Sequence, residues 1–513
     1  MKQFIQRFSD KITGVLSGFD RLILRGSLRP ISYPYGMKGF LWLNQVMLKD
    51  FGRYVDSVSK QLRTASCQAA HAQQRPVVYL HSSRTDKEAR AQKIAAKDGI
   101  TSGLIAVLSC VESCMSFKVQ RDAKSKELDI ELRPRRCLYL YHYLIDPQFG
   151  WMNARIQTWF PFNIQICLNG REWLSRQMDK AGIKYLRLDN CFSWIEDFPK
   201  AQKLMDQQLR TAWPTILDRF VRMLNPIHGK IFKAFPLRYY WSIYQNEWAT
   251  DIVFKSTSAL ASVYRRLVWH AMINFSSPDV MRFLGRKVRT AEVVTDFKDR
   301  PEGVRIKHRV GKNWIKLYDK FGIVLRSEFT MNDPEDFKVF RPKENDPGGE
   351  CKWRQLRRGV ADIHRRAQVS QAGIDRYLDA LAAADTSIPL GDLLQGICAP
   401  TTWKGKRIRA LRPWSQEDLE LFKAVNRGEF SANGFRNRDL QALLFKGTPN
   451  STKEKRRRNG RVTRLIRMLR AHHLIQKVNT TYRYILTPKG RQIIGAELTA
   501  RRVTLEQLNR AAA

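Results

Sequence analysis

Acidic side chains scattered among the expected strands of this 513-residue chain are its first candidates for chemistry. Glu247 and Asp251 lie four apart, on one face if their segment is helical, and Asp20, Asp189, Asp319 and Glu328 flank or occupy strands. Carboxylates that converge hold the divalent ions of two-metal phosphoryl transfer, so Asp251, Asp319 and Glu328 are the acids a Mg²⁺-dependent nuclease or strand transferase would use. The plainer reading makes such acids salt-bridge partners of neighbouring cations, with no metal and no cofactor. The eight cysteines include no Cys-x-x-Cys pair, and nothing completes a tetrahedral set around Cys110 and Cys114, so they read as reduced core residues. There is no Walker loop, metalloprotease helix motif or Gly-x-Ser-x-Gly elbow.

Positive charge is the stronger signal. Lys and Arg number 90 against 48 Asp and Glu, a formal net charge of +42. Such an excess repels itself in a compact state, and a polyanion relieves it. Each phosphate neutralised also releases condensed counterions, so nucleic acid is the expected partner. A membrane is the competing polyanion. However, no apolar run of about 18 residues is present to span one, and the N-terminus lacks a secretory apolar segment, so a cytoplasmic location is expected. With 43% hydrophobic residues and 13 Trp, the chain has enough apolar material to fold.

Several domains must position these side chains, because a single core stops growing beyond roughly 250–300 residues. The first hundred residues mix helical stretches such as 39–63 with short strands such as 75–80. From Ser116 the pattern alternates, with strand-like runs over 116–120, 127–132, 136–145, 151–160 and 163–168. A helix over 171–181, stopped by Gly182, and a strand over 184–188 follow. Tyr139, Tyr141 and Tyr143 share one strand face, and Arg155, Gln157 and Trp159 share one face of the next. If those faces coincide they form an aromatic and cationic platform for unpaired bases; otherwise the rings pack under helices.

Helices are expected over 198–224 and 258–274, then a three-stranded meander over 304–309, 314–320 and 323–331. Its Lys307, Arg309, Lys316 and Arg326 offer a cationic face or pair across strands with acids such as Glu328. Beyond a linker at 341–349, helices over 351–367 and 374–384 suggest a spacer bundle or a second helix-turn-helix near Ser370, and a basic connection over 404–413 follows.

The clearest pattern is C-terminal. Arg436 to Phe445 reads as a short helix carrying Leu440, Leu443 and Leu444, Lys446-Gly-Thr-Pro as a turn, and Ser451-Thr-Lys-Glu454 as a capping box that opens a second helix. Val462, Leu465, Ile466 and Leu469 define its inward face, with Arg457, Arg458, Arg461 and Arg464 largely off it, and Asn459-Gly460 is a point where its start can be delayed. His472-His473 closes the helix, and strands over 476–478 and 481–486 around Asn479-Thr480 make a hairpin containing Arg483. Helix, turn, basic helix and hairpin is the order that lays one helix in a major groove while a wing follows the backbone.

Val462-Thr-Arg-Leu-Ile-Arg-Met-Leu-Arg-Ala-His-His-Leu-Ile, followed by Tyr482-Arg-Tyr-Ile-Leu-Thr-Pro-Lys-Gly-Arg491, resembles the recognition helix and wing of the MarR family of bacterial regulators, over the last fifth of the chain. The resemblance implies a winged helix-turn-helix with Arg457, Arg461 and Arg464 facing DNA and Arg483 in the wing. Tyr318-Asp319-Lys320 and Leu325-Arg326-Ser327-Glu328 are similar to a short motif of rolling-circle-type replication initiators of phages and plasmids. That likeness implies a replication or mobile-element setting, with nicking by a catalytic tyrosine, here Tyr318, and a metal held by histidines. His142 and His308, however, stand singly in their strands.

The expected protein is α+β and multi-domain. It has an antiparallel-sheet N-terminal body over 1–340, divisible into 1–225 and 226–340, a helical linker region over 351–413 and a C-terminal winged helix-turn-helix over 416–513. Its expected function is DNA binding through that last domain, of replication-initiator or mobile-element type. The alternatives are a MarR-like transcription regulator, an RNA-binding scaffold that uses the tyrosine strand, and a metal-dependent nuclease or strand transferase. Nothing in the sequence indicates an oligomeric state.

Overall fold

A computed structural model describes residues 1–121, 126–286, 293–298, 304–343, 346, 348–382, 390–430, 434–445, 447–478, 481–501 and 503. The expected turn at 122–125, parts of the 341–349 linker, Lys446 and the hairpin tip Asn479-Thr480 lie outside them. The chain divides into a central unit, Leu16–Ala249 with Arg357–Ala367, and a composite unit, Met1–Val15 with Thr250–Leu356 and Gln368–Ala513. Both mix helices with largely antiparallel sheet, the α+β class expected. Among the described residues no helix is long and apolar enough to cross a membrane.

In the central unit the strand order is Tyr240–Phe254, Ile12–Ser27, Ile164–Asn169, Gly150–Gln157, Leu128–Asp146, Gly103–Arg121 and Val77–Tyr79, the first two strands contributing only the residues that belong to the unit. Gly103–Arg121 and Leu128–Asp146 form a long antiparallel ribbon, and Val77–Tyr79 adds to its edge in parallel. Leu104 to Leu108 is buried without alternation because helices cover both faces of the sheet. Helix Phe51–Ala72 lies on one face, where Ser66 Oγ is 3.0 Å from His142 Nε2. Helix Lys87–Lys97 packs Ala91 and Ala95 into a cluster with Tyr139, Tyr141 and Tyr143 on the other.

Several expectations are corrected here. The strand Ile12–Ser27 and the first half of Gly103–Arg121 are additions to the expected strands; Leu16–Asp20 and Leu104–Cys110 are buried without a break, which loses the alternation that marks a strand. The runs over 127–132 and 136–145 are one strand. The helix over 198–224 is two, Phe198–Asp206 and Trp213–Leu224, the second opened by Pro214 in its first turn. Cys114 and Cys137 form a disulfide, because the ribbon register sets Cys114 opposite Arg135 and Cys137 opposite Glu112, which makes the two cysteines diagonal neighbours.

In the composite unit, strands Val293–Lys298, Arg305–Val310, Asn313–Lys320 and Val324–Met331 form an antiparallel meander, as the sequence pattern indicates for the last three. Val324–Met331 is buried along its whole length. Its Arg326 therefore cannot reach water, and its guanidinium grips Asp251 with two hydrogen bonds of 2.5 and 2.8 Å. Both side chains are essentially inaccessible, so each charge depends on the other. The N-terminal amine donates to the Asp375 carbonyl at 2.7 Å, which ties helix Lys2–Arg7 to the part of helix Ile363–Ala382 in this unit. The two helices expected over 351–367 and 374–384 are instead a strand, Lys352–Gln355, and that one helix. Ser370 is buried within it, so no second helix-turn-helix forms there.

Residues 390–498 build one further core. Leu419, Phe422, Leu440, Val462, Ile466 and Leu469 are buried in it together with Ile493 and Leu498. Helices Gln416–Val425, Asn437–Leu444 and Thr452–Ala471 precede a hairpin of Ile475–Lys477 and Tyr484–Leu486, and helix Pro488–Ala500 follows. Phe435 makes an antiparallel bridge to Tyr484, which joins the hairpin to the chain entering the second helix. The Ser451 hydroxyl accepts from Glu454 N, and the helix runs unbroken through Asn459-Gly460, so that dipeptide does not delay its start. A helix of 20 residues with a well-buried face carries the cost of one internal glycine.

Two stability predictions follow from these cores. Asp251→Ala removes the carboxylate that accepts two hydrogen bonds from a buried guanidinium and should lower unfolding free energy in urea by about 3–5 kcal/mol, whereas a double Arg326→Met, Asp251→Leu variant should recover most of it. Burial pulls the His142 imidazole down to about 4. The unfolded chain therefore takes up this proton near pH 6.5 while the fold refuses it until about 4, so stability held above pH 6.5 is lost as pH falls towards 4. Relative to pH 7, the wild type should lose about 2 kcal/mol more at pH 5 than a His142→Phe variant does, read from paired urea titrations.

Candidate nucleic-acid interface

The long basic helix presents two faces of different character. Val462, Ile466 and Leu469 point into the core, while Lys455, Asn459, Thr463 and Arg467 recur every four residues along one line of the outer surface. That line forms the floor of a groove of about 840 Å³. Arg436, Asn437, Arg438 and Gln441 at the start of the preceding helix form one wall. Tyr482 and Tyr484 of the Ile475–Leu486 hairpin enter from another side. The remaining lining is Ile466 and Arg470 of the basic helix and Trp403, Lys404 and Lys406 of a second hairpin, Thr401–Trp403 with Lys406–Ile408.

Seven Lys and Arg side chains line this groove, and among the described residues no carboxylate does. Lys404, Lys406, Lys455 and Arg467 are exposed and have no carboxylate partner among those residues. Arg470 packs its guanidinium 5.2 Å from the Trp403 ring and 5.8 Å from the Tyr484 ring, so both hairpins meet at one side chain. Asn437 Nδ2 donates to the Asn459 carbonyl at 3.2 Å and to Thr463 Oγ1 at 2.9 Å, which locks the two helices together at the groove floor. The result is cationic walls around a neutral polar strip, with Tyr482 81% exposed at the rim.

The cations singled out from the sequence lie elsewhere. Arg457 and Arg464 are exposed on the basic helix but do not line the groove. Arg458 is held by Glu454 at 2.6 Å and by the Gly447 carbonyl at 2.8 Å, and Arg461 pairs with Glu417 at 2.9 Å. Arg483 is buried, its guanidinium 3.5 Å from the centre of the Phe340 ring, so it holds the hairpin against the body instead of reaching out from a wing. The sequence signal for the groove is the four-residue spacing of Lys455, Asn459, Thr463 and Arg467 in the basic helix, which the expected site residues do not include; the second hairpin lies in the stretch that reads as a basic connection.

The tyrosine platform is closed. Tyr139, Tyr141 and Tyr143 are buried under helix Lys87–Lys97, where burial pushes the Tyr141 and Tyr143 phenols well above their ordinary range. Arg155 donates to the Tyr141 hydroxyl at 2.7 Å, to Glu112 at 2.9 Å and to Gln165 at 3.0 Å. Trp159 is half-buried beneath Arg135, 4.9 Å from its ring. No base can stack on rings already covered by protein, so the aromatic platform expected from the strand pattern is withdrawn.

In the meander Lys316, Tyr318 and Glu328 are likewise spent on one another. Lys316 pairs with Glu328 at 2.5 Å, and the Tyr318 hydroxyl donates to the same carboxylate at 2.8 Å. Lys316 and the Tyr318 hydroxyl hold the Glu328 carboxyl below the usual range against the opposing effect of burial. Asp319 accepts from Gly322 N in the following turn, while burial raises its pKa. Lys307 sits 4.1 Å from the Trp314 ring, and Arg309 is exposed beside it in register with Trp314. Asp251 and Arg326 hold each other, which removes both from substrate binding.

His142 and His308 are core residues. His308 is flanked by Thr295 at 2.9 Å and Tyr377 at 3.2 Å, and burial lowers it to about 4. The sequence reading placed Glu247 on a possible helix; it lies in a strand, where its carboxylate comes within 4.8 Å of that of Asp20. Both are buried in the central unit; Arg21 approaches Glu247 at 3.4 Å, and Asn190 donates to Asp20 at 3.1 Å. Two carboxylates so close could hold a cation between them. Comparison with protein-family models, curated proteins and solved structures finds no match to this chain.

Proposed function

We propose that the chain binds duplex DNA by laying the helix Thr452–Ala471 and its groove against one face of the double helix. The observation that carries this reading is the groove itself: seven cations, no carboxylate among the described residues, and a strip of Asn and Thr between them. Phosphates suit the cationic walls, and base edges suit the neutral amides and hydroxyls of the floor. Helix, bridge, helix, helix, hairpin and helix is also the element order of a winged helix-turn-helix, which supports the same docking. The replication or mobile-element setting rests on the short Tyr318 to Glu328 resemblance alone.

Lysine and arginine contacts of this kind obey counterion release, so the affinity should fall steeply with salt. Arg467→Ala in the full chain should weaken binding to unrelated duplex sequences by a similar factor and lower the slope of log K against log salt by about 0.9. Asn459→Ala should instead change the preference among sequences. Fluorescence anisotropy across a salt series reads both effects. A wild-type chain that ignores labelled duplex at low ionic strength removes the proposal.

A second reading, metal-dependent phosphodiester cleavage, is favoured by the buried Asp20 and Glu247 pair. Two carboxylates at that separation are suited to a divalent cation such as Mg²⁺. Single-stranded DNA should then be cut with Mg²⁺ or Mn²⁺, and Asp20→Asn should abolish cutting while leaving duplex affinity unchanged. Intact substrate after incubation of the wild type with either ion ends this reading.

A further inference from the structure

We infer that the hairpin Thr401–Ile408 is a second phosphate clamp, working beside the Ile475–Leu486 hairpin on the same DNA duplex. The inference rests on the groove being the DNA-binding surface, and adds to it an element that neither the helix nor the sequence pattern supplies.

The hairpin is built to be short and rigid. Trp403 pairs with Lys406, leaving a two-residue loop of Lys404 and Gly405. Both loop residues have positive φ, 51° and 73°, the backbone of the turn whose twist matches that of paired strands. The glycine takes this conformation freely, and Lys404 takes it at some steric cost. Around this tip Lys404, Lys406 and Arg407 are exposed, with no carboxylate partner among the described residues. Three cations packed on so tight a turn repel one another, and a phosphodiester placed at the tip relieves that repulsion.

The hairpin is fixed to the end of the basic helix both beside its tip and just past its second strand. The Trp403 ring meets His473 edge-on at 6.4 Å and lies under the Arg470 guanidinium at 5.2 Å. Just past the hairpin, Arg409 forms a fork with Asp418 at 2.6 and 2.8 Å, and its carbonyl is 3.0 Å from His472 Nε2. The Asp418 carboxyl is held below the ordinary range by Arg409 and the Arg412 backbone N–H against the effect of its burial. A hairpin anchored at three points presents its cations without a large ordering cost on binding. Since Lys404 and Lys406 line the same groove as Lys455 and Arg467, a duplex seated on the helix brings its backbone to the tip.

Lys404→Gln together with Lys406→Gln in the full chain provides the test, against a labelled duplex of about three helical turns. Two lost phosphate contacts should lower the salt slope by about 1.8 and weaken binding about 60-fold at 0.1 M salt, with the difference closing towards 1 M. The hydroxyl-radical footprint should also shorten on one flank. A double variant with the wild-type slope and footprint overturns the clamp while leaving the groove proposal intact, whereas a wild type that does not bind the duplex overturns the groove itself. An RNA duplex bound with the same slope and more tightly than the DNA overturns DNA as the occupant. Far-ultraviolet circular dichroism and the urea midpoint of the variant establish that the fold survives. A Lys404→Arg, Lys406→Arg variant should restore the slope, as a charge contact requires and a merely structural role does not.

Discussion

Excess positive charge has to be neutralised inside a fold or turned to water, and the arrangement of this protein depends on how that division is made. Where a strand is buried on both faces, its cation receives a dedicated carboxylate, as Arg326 receives Asp251. Cations nearer the surface also receive acids at short range, as the half-buried Arg458 receives Glu454 and the exposed Arg409 receives Asp418. Others are laid over aromatic rings, as Arg483 is over Phe340 and Lys307 over Trp314. The acids are outnumbered nearly two to one, and some of them, such as Asp251, Glu328 and Asp418, are buried beside the cations they hold.

Among the described residues, the groove on the basic helix is lined by no acid. Lys404, Lys406, Lys455 and Arg467 stand there without a carboxylate partner among the described residues, and water screens their mutual repulsion. The same economy accounts for the fate of the other candidate surfaces. Arg155 is surrounded by Tyr141, Glu112 and Gln165 because a guanidinium inside a helix-covered sheet needs acceptors on every side. A tyrosine strand that looks like a base-stacking platform is then the lid of a core. In the meander, Glu328 with Lys316 and Tyr318 is likewise a closed set.

Much of the local structure was legible. The three meander strands, the helix following Asn169, the helix Thr257–Ile273 and the C-terminal sequence of two helices and a hairpin all announce themselves by period and by caps such as Ser451. Less legible were elements whose environment erases the period. Leu16–Asp20 in Ile12–Ser27 and Leu104–Cys110 in Gly103–Arg121 are buried without a break, so the alternation that marks a strand is lost there. The hairpin at Lys404-Gly405 lacks the Asn-Gly or Asp-Gly pair that marks such turns, and it reads as a connection. Cys114 and Cys137 are 23 residues apart in sequence, and only the register of their ribbon brings them together.

For the candidate site the balance is different. Composition and spacing by themselves determined that the chain is strongly basic, that a long helix near its C-terminus carries a buried apolar face, and that its outer surface is cationic. These are properties of charge count and helical period, which need no partner elements. Which of those cations remain available was decided by tertiary structure alone, because availability depends on whether an acid or a ring from a distant segment comes within reach. Glu417 takes Arg461 and Phe340 takes Arg483, while Lys455 and Arg467 are left to solvent. Trp403, on a hairpin some fifty residues before the helix it touches, joins the site by the same long-range packing, which periodicity within one segment does not encode.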